Sequence, residues 1–183
     1  ADSQFGDNGI YSQSKIAAFN EYQNFNCASA FIIPTIIGGY ARKGFFESIG
    51  KMMKSYNIAV MPGACSSITS IVHVDDVCEL IHIVLKNQSE GIFNVASNDL
   101  LSINDWVDLI AQALGRKVMK INIPLYFFKI IGFLSGYRLL AKEQLLILQY
   151  PHSLNLDRAK KLGWQPKKGI KNIIEDTFLA SDE

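Results

Sequence analysis

Three short runs rich in β-branched and aromatic residues constrain this chain most: Ser29 to Ile37 (SAFIIPTII), Ile68 to Val74 (ITSIVHV) and Gly91 to Ala96 (GIFNVA). A strand with one wet face alternates apolar and polar residues. The first run does not alternate, so it suits a parallel strand covered on both faces. Pro34 is expected to end it, because proline has no N–H to give to a ladder. Helical stretches separate the runs. Tyr11 to Asn26 has helical composition as far as about Tyr22, Gly39 to Met53 is helical in part, and Asn57 to Ser67 reads as strand then turn. After the second run come Asp75 and Asp76, then apolar residues at Val77, Leu80, Ile81, Val84 and Leu85. Acidic side chains bond free N–H groups at a helix start and suit its positive end, so Asp75 or Asp76 is the expected N-cap. Ser102 with Asp105 forms a near capping box, and a stripe through Ile103, Trp106, Val107, Ile110 and Leu114 ends at Gly115. Asp157 is expected to cap a short helix ended by Gly163, and Ile170 to Leu179 forms a last amphipathic helix. Strands alternating with helices define an α/β protein with a mainly parallel sheet.

Composition narrows the function. The 183 residues suffice for one domain, or one domain and a small satellite, and 49% of them are apolar. A net charge of +1 without a basic block lacks the footprint that phosphate-backbone binding needs, so no nucleic-acid partner is expected. Cys27, Cys65 and Cys78 fit neither a disulfide framework nor a C-x-x-C metal site. Reduced thiols in a cytoplasmic protein, with no metal, are the expectation. Ala1 to Ile10 lacks the basic and apolar regions of a signal peptide. Ile121 to Leu140 approaches the roughly 20 residues of a spanning helix. Lys129 at its middle and Pro124, Gly132 and Gly136 argue instead for a buried or groove-lining amphipathic helix and no membrane span.

Tyr11 and Lys15 form a Y-x-x-x-K pair that shares one helix face. A phenol, ordinarily near pKa 10, is a poor base at neutral pH, and an ammonium one turn away favours the phenolate. Such a group can take a proton from an alcohol while hydride leaves the same carbon. Taken alone, the pair reads as a solvated surface pair, since tyrosine and lysine four apart occur by chance in many helices.

Beyond YSQSK (11–15), five further segments follow: FIIPTIIGG (31–39), IVHVDDV (71–77), GIFNVAS (91–97), LGRK (114–117) and KKLGWQP (160–166). In order and spacing they resemble the extended short-chain dehydrogenase/reductase family, the NAD-dependent nucleotide-sugar epimerases and dehydratases. The resemblance implies the C-terminal part of a Rossmann-like doubly wound parallel sheet plus a small α/β substrate-binding domain. Residues 1–38 and 71–97 would belong to the former, 39–70 and 98–183 to the latter. It implies Tyr11 as catalytic acid/base, Lys15 as the group that holds the nicotinamide ribose and tunes Tyr11, and Pro34, Thr35 and Ile36 beside the nicotinamide and substrate. The cofactor would be NAD or NADP, the substrate a nucleotide sugar, and the assembly a homodimer. His73, Asp75 and Asp76 would mark a strand entering a helix, not a catalytic cluster, and Trp106 and Trp164 would be core aromatics. IPLYFFKIIGFL (123–134) is similar to members from surface-polysaccharide pathways.

Two departures qualify what is implied. No G-x-x-G-x-x-G follows a strand anywhere in the chain. In the family that loop and the Ser or Thr partner of the tyrosine precede the Tyr helix, so the chain is expected to correspond to the C-terminal half only. The arginine that the family often places before F-V-H-V is replaced by Thr69 or Ser70, leaving Arg42, Arg116, Arg138 and Arg158 as substitutes. Two alternatives stay open at this point: a ketoreductase of the same family acting on another substrate, and a noncatalytic remnant or dimerising module.

Overall fold

The computed structural model describes residues 10–40, 45–63, 65–134 and 153–178. Arg42, Arg138 and the end of the 121–140 stretch lie outside them. The chain runs α1 (Ile10–Asn24), β1 (Ala30–Pro34), β2 (Ile36–Gly38), α2 (Phe45–Tyr56), β3 (Ile58–Pro62), β4 (Ile68–Thr69), β5 (Ile71–His73) and α3 (Val74–Lys86). There follow β6 (Gly91–Val95), β7 (Leu101–Ser102), α4 (Ile103–Ala113), β8 (Met119–Ile123), α5 (Leu125–Leu134), α6 (Asp157–Lys161) and α7 (Ile170–Phe178).

Among the described residues three of the four strand pairs are parallel: β1 with β6, β2 with β5, and β3 with β8. The two-residue strands β4 and β7 pair antiparallel. The apolar run at 29–37 is therefore two strands. Pro34 closes the first opposite Val95. At Thr35 both the backbone N–H and the hydroxyl donate to the Val95 carbonyl, at 2.9 and 3.4 Å. The chain then changes neighbour from β6 to β5. Contrary to the expectation of two covered faces, β1 is half-buried along its whole length. Among the described residues it pairs with β6 alone, so one edge stays open.

Two cores flank the β2–β5 pair. Val72 and Ile37 pack with Leu80, Phe93, Val95 and Trp164 on one side. Ile71 and Ile36 pack with Met53, Trp106, Ile110 and Ile173 on the other. Successive strand side chains point to opposite faces, so adjacent residues of each strand feed different cores. Ile36 lies opposite Ile71 and Ile37 opposite Val72, which makes this pair the wall between them. Trp106 and Trp164, 1% and 0% exposed, anchor the two sides as expected. At Gly38 any side chain would collide with Ile173, so α7 rests directly on the β2 backbone.

Helix starts correct two expectations. The N-cap of α3 is His73, whose side chain accepts from the Asp75 N–H, while Asp75 and Asp76 fall in the first turn. The N-cap of α6 is Leu156, without a side-chain bond, and Asp157 is the first helical residue. Its N–H is taken instead by Asn155 Oδ1 at 2.8 Å. The capping box at Ser102 and Asp105 forms as expected. Gly115, at φ +62, follows the end of α4 in the left-handed conformation that favours glycine. Among the described residues the 121–140 stretch divides into β8 and α5, and Tyr126, Phe127 and Ile130 of α5 are exposed, which speaks against the buried form of the helix expected there and leaves the groove-lining form open.

Candidate functional site

Tyr11 and Lys15 sit one turn apart at the start of α1, both exposed. Lys15 Nζ lies 5.4 Å from the centroid of the Tyr11 ring, over its face. Among the described residues neither the phenol nor the ammonium makes a hydrogen bond or ion pair. Further along α1, Phe19 and Tyr22 pack on Phe31 of β1, with ring centroids 5.3 and 5.1 Å apart. From these anchors α1 runs about 12–16 Å back to Tyr11 at 1.5 Å per residue. The strand runs about 13 Å forward from Phe31 to Thr35 at 3.3 Å per residue. Pro34, Thr35 and Ile36 lie at the carboxyl end of β1, where the chain passes to β2. Open α/β sheets bind ligands outside that end, where strand order switches. Pro34, Thr35 and Ile36 are each half-buried, and both Thr35 donors are occupied by Val95.

The start of α3 has the opposite character. His73 is 2% exposed. Its Nδ1 accepts from the Asp75 N–H at 3.1 Å, so the ring proton resides on Nε2 and is donated to Asp176 Oδ2 at 3.0 Å. Asp76, also 2% exposed, accepts the backbone N–H groups of Lys167 and Lys168 at 3.0 and 3.1 Å. Its carbonyl receives the Trp164 indole N–H at 2.9 Å. Lys168 Nζ bridges Asp75 at 2.9 Å and Asp176 at 3.0 Å. The hydrogen bond from Lys168 holds the Asp176 carboxyl below its usual range, and those carboxylates hold Lys168 above the usual lysine range. The buried His73 and Asp76, with Lys168, tie α3 to the 164–168 segment and α7. Neither Lys168 nor Asp176 could be found from sequence, since Asp176 lies 103 positions from His73.

Of the four arginines expected as substitutes, Arg116 and Arg158 lie among the described residues, and each meets a side chain of this chain. Thr69 is fully buried, with no partner for its hydroxyl among the described residues, and Ser70 donates to the Ser97 carbonyl at 3.3 Å. Arg116 donates to Asn57 Oδ1 at 3.2 Å, and the Arg158 guanidinium lies 5.5 Å from the Phe93 ring centroid. Burial pushes the Cys65 thiol up to about 11, while Cys27 and Cys78 are exposed. Among the described residues no group of three His, Cys, Asp or Glu could hold a metal, and no helix is long and apolar enough to cross a membrane.

No protein-family model matches the chain, and no curated protein does. Solved structures do. UDP-glucuronic acid 4-epimerase from Bacillus cereus, in complex with UDP-glucuronic acid and NAD, aligns over 92% of this chain and 51% of its own, with TM-score 0.72 and 14% identity. For dTDP-glucose 4,6-dehydratase from Bacillus anthracis in complex with NAD the values are 97%, 53%, 0.68 and 16%. RMD from Pseudomonas aeruginosa, complexed with NADPH, covers 92% of this chain and 54% of its own at TM-score 0.64 and 17% identity. The chain therefore has the Rossmann-like α/β fold of the NAD-dependent epimerases and dehydratases. It spans about half the length of the structures it matches.

Proposed function

We propose that this chain forms the C-terminal half of an NAD(P)-dependent nucleotide-sugar epimerase or dehydratase that works by hydride transfer at a sugar carbon. The observation that carries the reading is the Tyr11–Lys15 pair, exposed and unbonded among the described residues, on the helix that packs on β1 through Phe19 and Tyr22. A nicotinamide would lie between that pair and the β1–β2 break, where Pro34, Thr35 and Ile36 are half-buried. The sequence has no glycine-rich loop for the pyrophosphate, so that end of the cofactor would be held by residues outside this chain. When bound, the cofactor supplies the hydride acceptor.

The chain's own part is proton handling. Tyr11 takes the proton from the sugar hydroxyl as the hydride leaves the same carbon and returns it in the reverse step. Lys15 donates to the ribose hydroxyls. The residues before the β2–β5 wall and those of β5 to β6 would form the dinucleotide side, 1–38 and 71–97. Residues 39–70 and 98–183 would form the substrate side, with Leu156, Ala159 and Trp164 reaching back into the first core. A nucleotide sugar as substrate, a homodimer, a cytoplasmic site and a role in surface-polysaccharide precursor synthesis complete the proposal. It is tested in the intact enzyme with Tyr11→Phe, assayed against a panel of nucleotide sugars with NAD and NADP. Loss of turnover with retained nucleotide binding is expected; unchanged turnover removes Tyr11 from the mechanism.

A further inference from the structure

Helix α1 carries the Tyr11–Lys15 pair, yet no residue of it belongs to either core. Its half-buried positions among the described residues are Ser12, Ile16, Phe19 and Tyr22, one stripe at helical spacing. The stripe ends in an aromatic cluster. The Phe19 and Tyr22 ring centroids are 6.2 Å apart, and both rings meet Phe31 of β1, Phe19 edge-on at 75° and Tyr22 tilted at 40°. Ala30 and Ile32, on either side of Phe31, pack against the core that holds Val72 and Trp164. Successive strand side chains point to opposite faces, so Phe31 is turned away from that core and towards α1.

Phe31 therefore joins the two parts of the candidate site. It is fixed in register opposite Ile92 of β6, on the strand that ends at Pro34, and its ring meets the helix that carries Tyr11 and Lys15. We propose that Phe31 is a positioning residue, a role that rests on Tyr11 being the acid/base: its ring, packed on Phe19 and Tyr22, sets where α1 stands against β1 and hence where the Tyr11 hydroxyl meets the reacting carbon. Leverage gives the ring its weight. Tyr11 lies eight residues from Phe19. That is about 12 Å along the helix, so a tilt of about 5° at the anchor moves the phenol by about 1 Å. A misplacement of that size costs a reaction about 10²-fold. Tyr11 and Lys15 share the helix and move together, so the shift leaves their mutual spacing intact.

The test measures turnover of the intact enzyme per bound cofactor, so that unfolded molecules are not counted. Phe31→Leu keeps an apolar side chain on the strand and removes the ring. It is expected to lower kcat about ten- to hundred-fold, with KM and cofactor affinity within about two-fold and the limbs of the pH–rate profile unmoved. Phe31→Tyr keeps the ring and should hold kcat within about two-fold of wild type. In the Tyr11→Phe background, Phe31→Leu should cost less than about two-fold more, because it acts only through the hydroxyl already lost. Wild-type kcat in Phe31→Leu overturns the proposal, and so does a loss carried by KM or cofactor affinity alone. A Phe31→Tyr variant as slow as Phe31→Leu overturns it too, as does a full additional loss in the Tyr11→Phe background. Wild-type turnover in Tyr11→Phe itself removes the acid/base and the positioning role with it. An inactive Tyr11→Phe beside a fully active Phe31→Leu removes the positioning role alone.

Discussion

Two helix starts in this molecule carry chemically suggestive residues, and the structure treats them in opposite ways. At α1, Tyr11 is 63% exposed, with Lys15 over its ring and no hydrogen bond from either head group among the described residues. At α3, His73 and Asp76 are each 2% exposed, and both ring nitrogens of His73 and both carboxylate oxygens of Asp76 are bonded from within the chain. Residue type alone would favour the second, because histidine beside two carboxylates looks more like an active site than a tyrosine and a lysine. What separates them is spare bonding capacity. A group that must exchange protons with a substrate needs an unfilled partner position facing outward; a buried polar group must be filled or it destabilises the fold.

The contrast can be broken most decisively at Tyr11. In the intact enzyme, Tyr11→Phe should lower turnover about 10²- to 10⁴-fold, the usual weight of general acid–base catalysis, and leave the urea midpoint unmoved. Asp76→Ala should do the reverse. It strands two backbone N–H groups and should cost about 2–4 kcal/mol in urea unfolding, while the residual folded protein keeps its turnover. His73→Ala should cost about 1–2 kcal/mol through the lost cap and the lost bond to Asp176. A catalytic defect larger than the folding defect in either variant would overturn the structural assignment of the cluster.

Two smaller effects sharpen the same comparison through pH. The Asp176 carboxyl is held below its ordinary 3.8, chiefly by Lys168, so its folded pKa lies under its unfolded one. Its contribution to stability is present above that ordinary value and is lost as pH falls through the folded pKa. Lys168→Met should flatten the acid limb of stability against pH. Cys65 runs the other way. With its thiol raised from 9.0 to about 11, its contribution is full below 9 and is lost as pH climbs towards 11. Near pH 8, thiol titration of the native chain should therefore count Cys27 and Cys78 only, with Cys65 appearing on addition of denaturant.

Much of the fold was legible as pattern. The α4 stripe and its capping box came through, as did the short strand at 91–95 and the last helix, because each depends on neighbours within about four positions. The cap of α3 was misread for the same local reason. Asp75 and Asp76 are the better generic caps, and nothing within reach in sequence reveals that Asp76 is drawn inward by the N–H groups of residues 167 and 168. The candidate pair at 11 and 15 was legible as spacing, but its openness was not.

What the sequence determined by itself is the alternation of strands and helices, their parallel class and the Y-x-x-x-K face, all consequences of backbone periodicity and side-chain size. Only the tertiary structure decided that one apolar run becomes two strands with different neighbours, that β2 and β5 wall apart two cores, and that the His73–Asp176 contact is buried while Tyr11 is exposed. Those outcomes depend on which distant backbone groups and carboxylates meet, such as Thr35 with Val95 and His73 with Asp176. Bonding between residues 60 to 100 positions apart is set by packing, and local sequence carries no record of it.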